Sequence, residues 1–367
     1  MKTIQKGLIA GAVAMAFAAP SMAAFTVDLG DKGSISFGGF IKLDARTESG
    51  DLAFTSYYRG AGVAAADTSV TNFSVRESRL TTTYKRGDVT AFVGMDFYGG
   101  GGNELVSNSA HPRLRQAFIS YKGWKMGQAW TAASNLMAIP EAVDFGGPIV
   151  GMIFVRQPQI SYTSGNWTFS VENPESYTPG KYAVGGNGTG IVAANSNEST
   201  PDFIGAYTTS GDWGTLKVSG IVREVTAADN SKHSAMGIGI GAKVMLGQDD
   251  VRFQLNSGEW GRYIGAGQGF ETGDFNGDGK YEMDSTTSYT AAYRHVMSGG
   301  WRTNIYIGGL EGDESGRSRT HVGANLMATL APGLTGGIEV GRYTINDDSL
   351  AEGLSNKYLQ LMVKFGL

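Results

Sequence analysis

The 367-residue chain contains no cysteine. That excludes a disulfide framework, a thiolate metal centre and a cysteine nucleophile, so an exported form must take its stability from packing and backbone pairing. Charge is scarce as well, at 17% against about a quarter in a typical soluble domain. Basic and acidic side chains number 30 and 34, a formal net charge of −4 that offers no bulk attraction for nucleic acid, and no nucleic-acid partner is expected. Beyond the N-terminal region, nothing approaches the roughly 18 consecutive apolar residues of a transmembrane helix. What the chain has in abundance is glycine, 55 residues, about double the usual share.

The first residues read as an address. Lys2 and Lys6 precede an apolar run from Gly7 to Ala19, Pro20 breaks it, and Ser21-Met22-Ala23 supplies the small residues of a secretory cleavage site. The run has 13 residues, short of the roughly 20 that span a bilayer as a helix. Residues 1–23 are therefore expected to be a signal peptide and 24–367 a single domain. Without Lys2 and Lys6 the mature chain has 28 basic against 34 acidic side chains.

The rest of the chain alternates with period 2. Val89, Ala91, Val93, Met95 and Phe97 interleave with Thr90, Phe92, Gly94, Asp96 and Tyr98; Leu359, Leu361, Val363, Phe365 and Leu367 interleave with Tyr358, Gln360, Met362 and Lys364. Sixteen such segments can be counted, at about 34–45, 72–84, 89–98, 112–121, 124–132, 156–163, 167–173, 201–209, 213–224, 235–246, 250–258, 286–296, 301–310, 319–330, 334–345 and 357–367. Short connections with turn chemistry, such as Lys85-Arg86-Gly87-Asp88 and Ala331-Pro332-Gly333, alternate with long ones, such as 133–155 and 259–285.

Soluble sandwiches and propellers also alternate. A signal peptide, an even strand count, connections of alternating length and low charge together point instead to an outer-membrane barrel, with short periplasmic turns at one rim and long external loops at the other. In lipid only a closed sheet leaves no backbone group unpaired. The expected fold is all-β: a 16-stranded antiparallel transmembrane β-barrel with an inward-folded constriction loop.

A barrel of about sixteen strands leaves an aqueous lumen. On the less apolar parity the basic residues are Lys42, Arg79, Arg113, Arg115, Lys217, Arg223, Lys243, Arg252, Arg294, Arg302 and Lys364, and the acids are Asp44, Glu77, Asp96, Glu172 and Glu339. Eleven bases against five acids give a positive wall inside a negative chain. Such a wall concentrates anions, and the planar guanidinium fork suits carboxylates. Any single arginine has the alternative role of pairing with a wall acid and stiffening it. The connection 133–155 is rich in apolar residues, which suits a loop packed on the inner wall; lying over a neighbouring subunit is the other reading. Folded inward, it sets Glu141 and Asp144 opposite the bases, as facing charges across a constriction.

The runs Phe37-Gly38-Gly39-Phe40-Ile41-Lys42-Leu43-Asp44, Ser78-Arg79-Leu80, Arg113-Leu114-Arg115-Gln116-Ala117-Phe118, Gly127-Gln128-Ala129-Trp130-Thr131, Asp144-Phe145-Gly146-Gly147-Pro148 and Arg156-Gln157-Pro158-Gln159-Ile160 resemble the DcaP-type porins of Gram-negative bacteria, best over residues 34–163. The resemblance implies a homotrimeric channel in outer-membrane lipid, passing small anionic solutes that include dicarboxylates. It also implies that Arg79, Arg113, Arg115 and Arg156, with Gln157 and Gln159, line the channel and that Asp144 lies in the inward loop. About ten residues separate the cleavage site from the first strand, too few for the N-terminal coiled coil of some relatives, so trimerisation would rest on barrel contacts.

A separate constellation runs from Asp274 to Glu282. Asp274, Asn276, Asp278, the carbonyl of Lys280 and Glu282 match the opening of a calcium (Ca2+) loop, without the closing bidentate glutamate. A plain Asp/Gly-rich turn is the alternative. Gly237-Ile238-Gly239-Ile240-Gly241 superficially matches a dinucleotide loop, but no helix follows it, so small lumen-facing residues explain it better. The four histidines show no ligand spacing and no nucleophile stands out, so no enzyme is expected and no cofactor is required. The expected function is passive diffusion of small hydrophilic, preferentially anionic solutes. A structural or adhesive surface barrel with a closed lumen is the alternative.

Overall fold

The computed structural model describes residues 25–53, 63–99, 107–176, 182–184, 191–193, 198–265, 274–275, 278–346 and 353–367. The expected signal peptide lies outside them. Among the described residues the strands are, in chain order, β1 Phe25–Asp28, β2 Ser34–Ala53, β3 Val63–Ser74, β4 Arg79–Arg86, β5 Val89–Gly99, β6 His111–Tyr121, β7 Trp124–Trp130, β8 Arg156–Ser164, β9 Trp167–Glu172, β10 Tyr182–Val184 and β11 Ile191–Ala193. They continue as β12 Asp202–Gly211, β13 Gly214–Thr226, β14 Lys232–Leu246, β15 Asp249–Gly258, β16 Asp274–Phe275, β17 Tyr281–Glu282, β18 Thr286–Val296, β19 Trp301–Gly312, β20 Ser318–Ala331, β21 Leu334–Asn346 and β22 Leu354–Gly366.

Sixteen positions make the wall. β3 and β4 share one of them, because β2 pairs with β4 through Ser34 to Phe40 and with β3 from Asp44 onward. β1 pairs with the start of β2, on the edge left beyond the final residue, where Leu367 N donates to Gly39 O at 3.0 Å. The β10–β11 and β16–β17 hairpins stand apart from the wall sheet. Closure runs from Phe40↔Gly366 to Gly50↔Asn356, all antiparallel. A closed antiparallel ladder satisfies the wall's backbone without water, so this fold can sit in hydrocarbon.

Side chains are sorted inside out relative to a soluble protein. On β2, Ile41 and Leu43 are 50% and 45% exposed, whereas Lys42 and Asp44 are 2% and 6%. With about half of its surface outward, each such apolar side chain is stabilised by roughly 1 kcal/mol when lipid replaces water around it. The inner face carries the polar parity.

Segment ends differ from the sequence reading where the alternation loses contrast. β2 runs on to Ala53 through Arg46, Thr47, Glu48 and Ser49, which are polar on both faces, so the apolar signal stops while the backbone ladder continues. The segment expected at 72–84 is divided by a turn at 75–78, where Ser78 Oγ accepts from the Lys42 amide at 3.0 Å. The short turns follow the glycines; Gly87 takes φ +55° between β4 and β5, a conformation other residues adopt at a cost.

Candidate channel constriction

The connection from Thr131 to Val155 enters the lumen. Its base closes through Thr131 N to Val155 O at 3.1 Å, and two 3-10 turns, Leu136–Ala138 and Ile149–Gly151, bend it along the inner wall. Glycine makes room for it. A Cβ on Gly239 would lie 2.5 Å from Asn256 Oδ1 and 3.1 Å from Ile153 Cδ1, one on Gly308 2.6 Å from Pro148 Cβ, and one on Gly337 3.1 Å from Val143 Cγ2. The Gly237–Gly241 run is thus a seat for packed chain.

Polar ties then pin the loop across a wide arc. Lys217 Nζ donates to Ser134 O at 2.8 Å, Arg252 to Ile139 O, Lys42 Nζ to Val143 O at 2.7 Å and Asn256 Nδ2 to Gly151 O at 3.3 Å. His321 Nδ1 donates to Gly147 O at 2.9 Å. The Glu339 carboxylate accepts from the Val143 and Asp144 amides, at 2.7 and 3.0 Å, as well as from Tyr306, Tyr358 and Asn325.

The loop acids do not face the bases across open space. Glu141 makes a two-pronged contact with Arg302, at 2.8 and 2.5 Å, and Asp144 is ion-paired with Arg46. The loop packs hard against this side of the wall, so each acid lies directly on its base, and the expected facing arrangement becomes direct contact. Burial pushes the Asp144 carboxyl above the usual carboxylate range, with Arg46 opposing. Arg46 lies one residue past the expected end of the first segment, where both faces turn polar and alternation gives no signal.

A second inward stretch supports the first. Residues 259–265, expected to belong to an external loop, carry the 3-10 turn Gly261–Tyr263 inward; Phe154 N donates to Tyr263 O and Gly265 N to Met152 O, both at 2.8 Å, around an Ile153↔Ile264 bridge. Trp260, Tyr263 and Ile264 are buried with Val150, Ile153, Leu52, Leu310 and Tyr343 in an apolar core inside the barrel. Arg262, from this turn, donates to Gln157 Oε1 at 2.5 Å and pairs with Asp202 at 3.2 Å. Apolar residues in a long connection were the available signal, and here only Trp260, Tyr263 and Ile264 carry it.

The remaining arc is basic. Fully buried Asp96 accepts from Arg113 Nε and Nη2, at 2.9 and 2.7 Å, and from Arg115 Nη1 at 2.6 Å. Arg79 lies over the Phe40 ring at 5.2 Å and is in electrostatic range of both arginines. Phe145 of the loop meets Tyr98, with ring centroids 4.7 Å apart, while Arg113 and Arg115 sit 5.9 and 5.6 Å from its ring. The loop tip therefore touches the arc and leaves the arginines on its border.

Arg156 lies 4.5 Å over Trp130, within electrostatic range of Arg115, Arg113 and Arg79. Along β8 it shares parity with the outward Ile160, whereas Gln157 and Gln159 are buried on the inner parity. Those two glutamines are committed to protein partners: Gln157 to Glu172 and Tyr263, Gln159 to the Trp130 carbonyl at 2.8 Å. Lys243, Arg252 and Arg294 gather on Asp250, away from the first cluster. The inner face also carries Glu48, Asp202 and Asp250, beyond the five acids expected; Glu48 lies past the expected end of the first segment, while Asp202 and Asp250 lie at the starts of theirs. They narrow the basic excess, and Arg46 and Arg262 offset part of it.

Of the Asp274–Glu282 constellation, the described parts form the β16–β17 hairpin, with Asp274↔Glu282 in register. Asn276 lies outside the described residues. Among the described residues no group of three or more His, Asp or Glu is placed to hold a metal ion.

A closed sixteen-position antiparallel wall, a polar inner face and a loop folded across the lumen together define the architecture of an outer-membrane porin. Comparison with solved structures agrees. The chain is similar to the outer membrane channel DcaP of Acinetobacter baumannii, with a TM-score of 0.78 at 17% identity over 94% of this chain and 100% of that one. It is also similar to an anion-selective porin from Comamonas acidovorans, with a TM-score of 0.56 at 11% identity over 91% and 100%. The trimer form of OmpT, an outer membrane protein of Vibrio cholerae, follows with a TM-score of 0.51 at 9% identity over 92% and 100%. No protein-family model and no curated protein sequence matches the chain.

Proposed function

We propose that the chain is a porin of a Gram-negative outer membrane, working as a homotrimer and passing small hydrophilic solutes by diffusion with a preference for anions, carboxylate-bearing ones among them. The observation that carries this reading is the arc formed by Arg79, Arg113 and Arg115, where two guanidinium groups share the single carboxylate of Asp96. Elsewhere around the loop the acids are neutralised by direct contact, as in Glu141–Arg302 and Asp144–Arg46. On the side the loop borders, the bases Arg79, Arg113, Arg115 and Arg156 outnumber the nearby acids Asp96 and Glu77, so an excess of positive charge supports the reading. A basic wall in a low-dielectric tube raises the local concentration of anions, and the guanidinium fork matches a carboxylate. The anion-selective Comamonas porin and the DcaP channel have the same fold, which supports the reading.

The apolar core inside the lumen favours the second reading, a surface barrel that is closed. Liposome swelling separates them. Proteoliposomes challenged with small dicarboxylates, matched neutral sugars and small amines should swell fastest with the acids. Equal rates for acids and amines contradict the charge preference, and no swelling with any solute favours the closed barrel.

A further inference from the structure

The inner wall carries a second basic cluster that is separate from the arc. Lys243 on β14 stands opposite Arg252 on β15, and Asp250 on β15 stands opposite Arg294 on β18. All four have inward parity, alternating with Val244, Val251, Phe253 and Tyr293 on the outer face. Asp250 is fully buried and takes all three cations: Arg252 Nε at 2.6 Å, Arg294 Nη2 at 2.7 Å and Lys243 Nζ at 3.7 Å. One carboxylate serves three positive charges. The cations keep 13 to 21% side-chain exposure, so they reach the lumen water while their acid does not.

The surroundings are rich in donors. Arg294 Nε is buried without a hydrogen-bond acceptor. Gln254, one inward position beyond Arg252, turns to Asn135 of the loop in a separate, tightly filled recess that none of the three cations lines. Three cations that reach the lumen and share one buried carboxylate leave surplus positive charge, which favours an acceptor-rich anion.

Position separates the cluster from the arc. Asp250 is one residue from the short-turn end of its strand at Asp249, whereas Asp96 is seven residues from Val89, a difference of about 20 Å along a strand. The cluster is near the short-turn mouth and the arc lies deeper along the wall; the loop touches both, at Ile139 and at Phe145.

We propose that Lys243, Arg252 and Arg294 around Asp250 form a second anion subsite at the short-turn mouth, which takes small multivalent oxyanions, carboxylate or phosphate, after they pass the arc. The proposal rests on the anion-channel reading and deepens it: a solute meets two basic stations in series, the first bordered by the loop at Phe145 and the second touched by it at Ile139. Two weak stations let an anion leave as readily as it enters, because a second ion arriving at one displaces the first from the other.

Sided block of single channels tests this. The chain has no cysteine, so Ser298→Cys in a short turn, labelled with a membrane-impermeant maleimide, reports orientation. Inorganic phosphate added from either side should reduce chloride current. Lys243→Gln with Arg294→Gln should weaken the block from the short-turn side at least fivefold and change the block from the loop side less than twofold. Arg252 is left in place because it also holds Ile139 O. Asp250→Asn, which removes the one acid, should tighten the short-turn block at least twofold, and it keeps the test open if the double variant does not fold. Block that weakens equally from both sides, or from neither, overturns the second subsite. Wild-type channels that do not favour chloride over potassium overturn the anion-channel reading instead.

Discussion

Replacing Glu339 by glutamine should loosen the constriction loop without opening the barrel. The carboxylate accepts five hydrogen bonds: Tyr306, Tyr358 and the Asp144 amide on Oε1, the Val143 amide and Asn325 on Oε2. A glutamine turns one oxygen into a donor. Whichever way the amide is placed, one of the two loop amides then faces a donor, and the other loses the charge assistance of its bond. An orphaned buried donor costs about 1–3 kcal/mol, so the loop tip should be less firmly seated by about 2–3 kcal/mol. At 1.4 kcal/mol per factor of ten, the unseated population rises roughly 30- to 150-fold. Lys42, Arg46 and His321 still hold Val143, Asp144 and Gly147, so the loop should flicker while remaining tethered. In single-channel recordings Glu339→Gln should show clearly larger open-channel current noise and a higher mean conductance than wild type, with the folded barrel retained by heat-modifiable gel mobility. Wild-type noise and conductance in a folded variant would refute the anchoring role of this carboxylate.

Further expectations concern the arc, the glycine seats and the lipid face. Arg113→Ala with Arg115→Ala should lower chloride preference measured by reversal potential and destabilise the barrel by about 3–5 kcal/mol through the buried, unpaired Asp96. Adding Asp96→Asn should restore thermal stability and leave the preference low. Gly308→Ala puts a Cβ 2.6 Å from Pro148 Cβ and should push the loop off the wall into the lumen, which predicts a smaller single-channel conductance; an unchanged conductance would show that the loop yields elsewhere. Leu361→Arg, on the outer face, should lower folding stability in lipid vesicles by about 2–4 kcal/mol in a urea titration, whereas a neutral effect would place that face out of hydrocarbon.

The wall was legible from alternation because lipid and water impose opposite demands on successive side chains. Every expected segment has a strand, and errors collect where both faces are polar, as from Arg46 to Ser49 on β2. The inward loop was legible because Leu136, Met137, Ile139, Val143 and Phe145 are costly in an exposed connection. The pairings were not. Nothing in sequence spacing joins Asp144 to Arg46, or Glu339 to the loop amides, because these contacts depend on the barrel closing β2 onto β22 and bringing distant strands to one inner surface. Asp250 shares the inward parity of Arg252, but only the register with Arg294 makes it the shared acid of a cluster.

An inner wall with surplus positive charge is expected to select the sign of what passes. The reversal potential of the purified protein in a planar bilayer across a KCl gradient measures that selection. The expected potential has the sign set by chloride as the more permeant ion; one set by potassium would rule out selection by the basic wall.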